Sequence, residues 1–170
     1  IFDPRAKLFV ETNQAGNGAP NIIGVSAGDA INGYPSATDP SLKNNAAYSL
    51  FNWYLIRDEW YIPELIMTAA EVHFLKAEAY ARGLGVGLNS TTAQTEYEAG
   101  IASSVNFWYA VAAGTDNVSE NWAAVAPPPP TVGQMNTLMA NPKVAFTGTD
   151  ADKLKKIYAQ EWLSFYRQPW

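Results

Sequence analysis

The chain has 170 residues, of which 48% are apolar, 13% aromatic and 16% charged, and its net charge is −5. That length is one domain by size, able to bury roughly 70% of its unfolded surface, and the low charge with high aromatic content excludes intrinsic disorder. With no basic run longer than Lys155-Lys156 the chain has no stripe to displace phosphate counterions, which excludes nucleic acid, and with no cysteine it can have no disulfide, thiolate metal site or cysteine nucleophile.

Residues 1–62 lack sustained helical periodicity. Gly16, Gly18, Pro20, Gly24, Gly28, Gly33, Pro35 and Pro40 interrupt them every few residues, which predicts a long irregular segment of turns. Short strands at Lys7–Val10 and Asn21–Val25 are conceivable. A loop this long is more often functional than idle. The opening Ile1-Phe2-Asp3-Pro4-Arg5 has no signal-peptide character, and Trp162 to Tyr166 are still in helical register close to Trp170. The expectation is a piece of a longer protein. No apolar run approaches the ~20 residues of a membrane span.

A helix is predicted from Glu64 to Arg82, with Pro63 suited to its first turn and Gly83 to a left-handed cap. Ala70, Phe74, Ala77 and Ala81 share its inner face, with Met67 and Val72 to either side, and Glu78 and Arg82 form an i,i+4 ion pair. A second helix is predicted from about Thr91, whose spacing to Gln94 fits a capping box, to Gly114. Tyr97, Ile101, Val105, Trp108, Tyr109 and Ala112 are its apolar stripe. The small face of the first helix against the large face of the second is the packing logic of a tetratricopeptide-type hairpin over residues 63–114. A single repeat of that kind leaves faces for neighbours to cover.

Residues 115–148 form a connector. It contains Pro127–Pro130, which reads as a stiff polyproline spacer or, alternatively, a docking site for a proline-recognition module, and a short helix at Thr131–Ala140 stopped by Asn141-Pro142. The last helix, in 149–170, opens at Thr149 or Asp150 and carries Leu154, Ile157, Tyr158, Trp162 and Phe165. The fold class is mainly α: a tetratricopeptide-like helical hairpin, further helices and a long irregular loop region.

Four segments in this order carry a resemblance. They are Asp3-Pro4-Arg5, the block from Leu65 to Ala79 (Leu-Ile-Met-Thr-Ala-Ala-Glu-Val-His-Phe-Leu-Lys-Ala-Glu-Ala), Tyr97-Glu98-Ala99-Gly100-Ile101, and Ile157-Tyr158-Ala159-Gln160-Glu161-Trp162-Leu163. Together they resemble the C-terminal half of the SusD/RagB family, and the resemblance covers nearly the whole chain. It implies a SusD-like α-α superhelix in a parent lipoprotein, lipid-anchored to the outer membrane and facing outward. It also implies non-catalytic capture of a nutrient, usually a glycan, as the lid of a SusC-like TonB-dependent transporter.

Among the residues that could carry function, Tyr48, Phe51, Trp53, Tyr54, Trp60 and Tyr61 crowd one short stretch beside Asn52, Arg57 and Asp58. Flat aromatic faces suit the apolar faces of sugar rings, and amide, carboxylate and guanidinium groups suit their hydroxyls. In the family, ligand contacts often come from loops before the first of these helices. Tyr34, Asn52, Trp53, Tyr54, Arg57 and Trp60 are therefore the candidate ligand-binding residues. The competing reading is that these aromatics cap the helical core.

His73, the one histidine, has no partner at metal spacing and reads as a packed or surface residue. Asp58-Glu59 and Glu96/Glu98 are adjacent carboxylates rather than a pair facing across a sugar, so they read as solvated charge. Gly83-Leu84-Gly85-Val86-Gly87 follows a helix, the wrong context for a phosphate cradle, and Asp29 and Asp39 lack EF-hand spacing for calcium. No catalytic residue, metal or cofactor is expected. Two other functions compete with glycan capture: a tetratricopeptide-like protein-interaction scaffold, and a hydrolase with half its active site elsewhere.

Overall fold

A computed structural model describes residues 3–10, 52, 65–114 and 126–166. Among them lie five helices: α1 (Ala6–Phe9), α2 (Ala69–Arg82), α3 (Ser90–Gly114), α4 (Val132–Ala140) and α5 (Asp150–Ser164). The mainly helical class expected from the periodicity is what the chain forms.

Helix α2 starts at Ala69 rather than Glu64. Thr68 is its N-cap: the hydroxyl accepts from the Glu71 amide at 3.0 Å, and the Glu71 carboxylate accepts from the Thr68 amide at 3.4 Å. A capping box satisfies two orphan amides, whereas a proline at the first turn only avoids creating one, so the box sets the start. Gly83 closes the helix at φ 70°, in the left-handed region that a Cβ disfavours. Glu78 and Arg82 pair at 2.5 Å as the spacing requires.

Helix α3 starts at Ser90, so Thr91 lies inside it rather than capping it. The cap is Asn89, whose side-chain oxygen accepts from the Thr92 amide at 3.0 Å and whose own amide donates to the Tyr80 carbonyl at 3.0 Å. That second bond ties the turn to α2. Gln94 donates to Glu98 instead of capping anything.

The two helices form an antiparallel hairpin. Contacts climb α3 as they descend α2: Asn89 with Tyr80, Glu96 with Lys76 and His73, and Gly100 with Phe74. Ala70, Phe74 and Ala77 are buried from one side, and the whole expected stripe from Tyr97 to Ala112 is buried from the other. At Gly100 a Cβ would stand 2.6 Å from the Phe74 ring, so this glycine lets a large side chain seat directly on the α3 backbone.

Helix α5 lies against both. Lys153 reaches Ser90, Tyr158 reaches Glu78, and the Ser164 carbonyl accepts from the Trp108 indole, so α5 runs parallel to α3. Its buried face is Ile157, Gln160 and Ser164, with Leu154 at its edge. Of the apolar residues the helix carries, Tyr158 is 43% exposed and Trp162 is 69% exposed. Gln160 turns inward because it meets a buried charge, a stronger demand than burying one more indole.

The remaining pieces close the core. Helix α4 has its own capping box between Thr131 and Gln134 and ends at Asn141, and the turn after it delivers Val144 and Phe146 onto Tyr97. The Tyr97 phenol donates to the Val144 carbonyl at 2.7 Å. The conceivable strand Lys7–Val10 is instead mostly the short helix α1, Ala6–Phe9, with Val10 extended after it. The second conceivable strand, Asn21–Val25, lies outside the described residues.

Candidate functional site

The Asp3-Pro4-Arg5 segment is pulled into the helical core. Arg5 is 1% exposed, and its guanidinium donates to both Asp3 carboxylate oxygens (3.1 and 2.7 Å), to the Ser104 hydroxyl (3.0 Å) and to the Gln160 side-chain carbonyl (2.5 Å). The planar fork of donors suits three acceptors arriving from three elements. A buried cation is tolerated only when paired and hydrogen-bonded, and this arrangement supplies both conditions. Between the two ends of the ion pair, the Pro4 carbonyl accepts from the Tyr109 phenol at 3.0 Å. Burial pushes the Tyr109 pKa up, and the nearby Asp3 charge adds to the effect, so the phenol stays a donor.

This clasp positions α1, and α1 positions Phe9. The Phe9 ring stacks on Tyr166 (centroids 4.0 Å apart, planes 14° apart) and meets Trp108 edge-on at 5.2 Å. Its carbonyl accepts two hydrogen bonds, one from the Tyr166 phenol at 3.0 Å and one from the Asn52 amide at 2.9 Å. Asn52 is 4% exposed. It belongs to the aromatic segment of the sequence, and its backbone amide bonds to the last residue of α1.

Of the six candidate ligand-binding residues, Asn52 is thus buried against the end of α1. Tyr34, Trp53, Tyr54, Arg57 and Trp60 lie outside the described residues, as do Asp29, Asp39 and the Asp58-Glu59 pair. Glu96 and Glu98 do not form a dyad: Glu98 accepts from Gln94, whereas Glu96 bridges α3 to α2. One Glu96 oxygen takes Lys76 and the other lies 2.6 Å from His73 Nδ1, and these two partners, Lys76 first, hold the Glu96 pKa below the usual 4.5. His73 is a half-exposed partner in that bridge. No group of three His, Cys, Asp or Glu side chains among the described residues could hold a metal ion.

On the outer side, α2 and α5 present a second cluster. Glu78 accepts from Tyr158 at 2.7 Å as well as from Arg82, and both bonds, Tyr158 first, lower its pKa. Glu161 goes the other way: partial burial raises its pKa, and the charges of Glu78 and Glu71 add to the rise. Beside these carboxylates Leu75 is 46% and Trp162 69% exposed, and Ile66 and Met67 just before α2 are more exposed than Leu75. No described helix is long and apolar enough to cross a membrane.

The buried acceptors of Arg5 have no counterpart in the sequence analysis. Asp3 and Arg5 flank a proline and stand two residues apart, which hints at a local ion pair. Ser104 and Gln160 lie 99 and 155 residues away from Arg5, and no local signal links them.

Residues 1–170 match a family model, SusD-like, described as starch-binding and associating with the outer membrane. No curated protein is significantly similar. Among solved structures, a SusD homologue from Bacteroides fragilis NCTC 9343 superposes with a TM-score of 0.63 at 24% identity, over 98% of this chain and 36% of the homologue. The chain therefore spans about a third of the length of that homologue and has its fold. The four segments that carry the resemblance are the ones that build the scaffold: Asp3 and Arg5 meet Ser104 and Gln160, and Phe74 meets Gly100. A full-length family match and a shared helical architecture lead to one conclusion: this chain belongs to the SusD-like family.

Proposed function

We propose that the parent protein is a non-catalytic binder of oligosaccharide, held at the outward surface of the outer membrane by a lipid anchor. There it hands its ligand to a SusC-like TonB-dependent transporter. The observation that carries this reading is the match of a starch-binding, outer-membrane-associating family along all 170 residues. The aromatic segment supports it chemically. Trp53, Trp60, Tyr34 and Tyr54 offer flat faces for sugar rings, and Arg57 offers donors for hydroxyls. Asn52 is anchored by its backbone amide to the Phe9 carbonyl at the end of α1.

Calorimetry with soluble starch, maltoheptaose and a panel of other polysaccharides tests the reading. The wild-type protein binds at least one of them, and Trp53→Ala weakens that binding by about fivefold or more, the worth of one aromatic platform at ~1 kcal/mol. Unchanged affinity in the variant overturns the assignment of Trp53.

A second reading, a protein-interaction scaffold, is favoured by the exposure of Ile66 and Met67 before α2, Leu75 on α2 and Trp162 on α5. Failure of every polysaccharide to bind would move the weight to it.

A further inference from the structure

Trp162 is the largest apolar side chain that α5 leaves in solvent, and among the described residues its indole makes no hydrogen bond or ring contact. Tyr158 stands one helical turn before it on the same face of α5. The Tyr158 phenol donates to Glu78 Oε1 on α2 at 2.7 Å, and Arg82 donates to the same oxygen at 2.5 Å. Two donors on one oxygen leave Glu78 Oε2 without a partner among the described residues. This carboxylate is therefore held by two bonds and still open to a third. Glu161, next to Trp162 in the chain, feels the charges of Glu78 and Glu71 across the seam.

We propose that Trp162, Tyr158 and Glu78 form a surface subsite for a neutral oligosaccharide, built entirely from α2 and α5. The apolar C–H face of a sugar ring lies on the flat indole, and Glu78 Oε2 accepts from a ring hydroxyl. Arg82 keeps further N–H groups for the sugar's oxygens. These polar groups are already fixed to one another on two packed helices, so binding a ligand costs them little freedom. The centre of a protein interface is depleted of Glu, whereas Trp162 sits beside Glu161 and one turn from the residue that holds Glu78. Three carboxylates against one guanidinium repel an anion, which is why the ligand is a neutral sugar and not a uronate or a sulfated one. The class of ligand rests on the glycan-binding reading above; the subsite itself uses residues which that reading does not.

The test follows the indole N–H signals of isotope-labelled protein by NMR during titration with maltoheptaose and, separately, with polygalacturonate. The Trp162 signal is identified by its loss in Trp162→Ala, and thermal melting is the control that this exposed substitution leaves the fold intact. The Trp162 signal shifts with maltoheptaose and stays still with polygalacturonate. Glu78→Gln, which removes the charge and keeps the shape, weakens that maltoheptaose response by about threefold or more, the worth of one hydrogen bond to a charged group. Movement of other indole signals while that of Trp162 stays fixed overturns the subsite and leaves the glycan reading standing. An equal Trp162 response to both carbohydrates overturns the assignment of a neutral ligand, and an unchanged response in Glu78→Gln removes Glu78 from the subsite. If no indole signal moves and calorimetry finds no heat of binding for any carbohydrate, the subsite and the glycan reading fall together.

Discussion

At Arg5 a single guanidinium connects the first described turn of the chain to the middle of α3 and the last turns of α5. Its three acceptors share one donor group, so removing one leaves a buried charge short of a partner rather than simply losing a contact. Gln160→Ala is expected to destabilise the protein by about 1.5–3 kcal/mol, the usual worth of a bond to a charged group, read as a shift of the denaturation midpoint at unchanged slope. Ser104→Ala, which removes a neutral hydroxyl, costs less. The order of the two variants checks the reading: if Ser104→Ala costs as much as Gln160→Ala, the charge is not what makes the clasp matter. Phe9 illustrates the same scale differently. Its backbone oxygen, invisible to any motif search, meets two separate donors.

Elements here are set by their ends and by one close approach. Thr68, Thr131 and Thr149 each close a reciprocal capping box, and these boxes place the starts of α2, α4 and α5. The close approach is Phe74 onto Gly100, where an added Cβ would lie 2.6–2.9 Å from three ring carbons. Phe74 is fully buried, so its ring has no solvent to swing into. Replacing a mid-helix glycine by alanine ordinarily gains about 1 kcal/mol of helix propensity. Overpacking a core costs about 1–3 kcal/mol. For Gly100→Ala the second term wins, and the melting temperature falls; a rise would mean that α2 and α3 separate easily and that the hairpin is not close-packed at this level.

At the scale of the molecule, two interhelical seams respond to pH in opposite senses. Glu96, in the seam between α2 and α3, has a folded pKa below 4.5, so its contribution to stability is present above 4.5 and is lost as pH falls through the folded value. Glu161, in the seam between α2 and α5, has a folded pKa above 4.5. Its unfolded form releases the proton first, so it erodes stability as pH rises from 4.5 through the folded value. Glu161→Gln is therefore expected to melt at a higher temperature than wild type at pH 7, with the difference closing below 4.5. A melting series across pH 3–8 checks this; a constant difference at all pH values would mean that the Glu161 carboxylate is not strained by burial and by Glu78 and Glu71.

The family and the helical class were legible in the sequence because both rest on local pattern. Apolar spacing placed the inner faces of α2 and α3, and Gly83 and Thr149 marked where helices stop and start. Four ordered segments were enough to point to the SusD-like family, and two of them meet where Phe74 packs on Gly100. Asn52 was singled out for its chemistry among aromatics, whereas its place at the Phe9 carbonyl could come only from coordinates. Tertiary structure alone decided which face of α5 is inside. Spacing alone does not choose between Trp162 and Gln160 for that face. Arg5 lies opposite, 155 residues away, and a buried charge outweighs an apolar side chain.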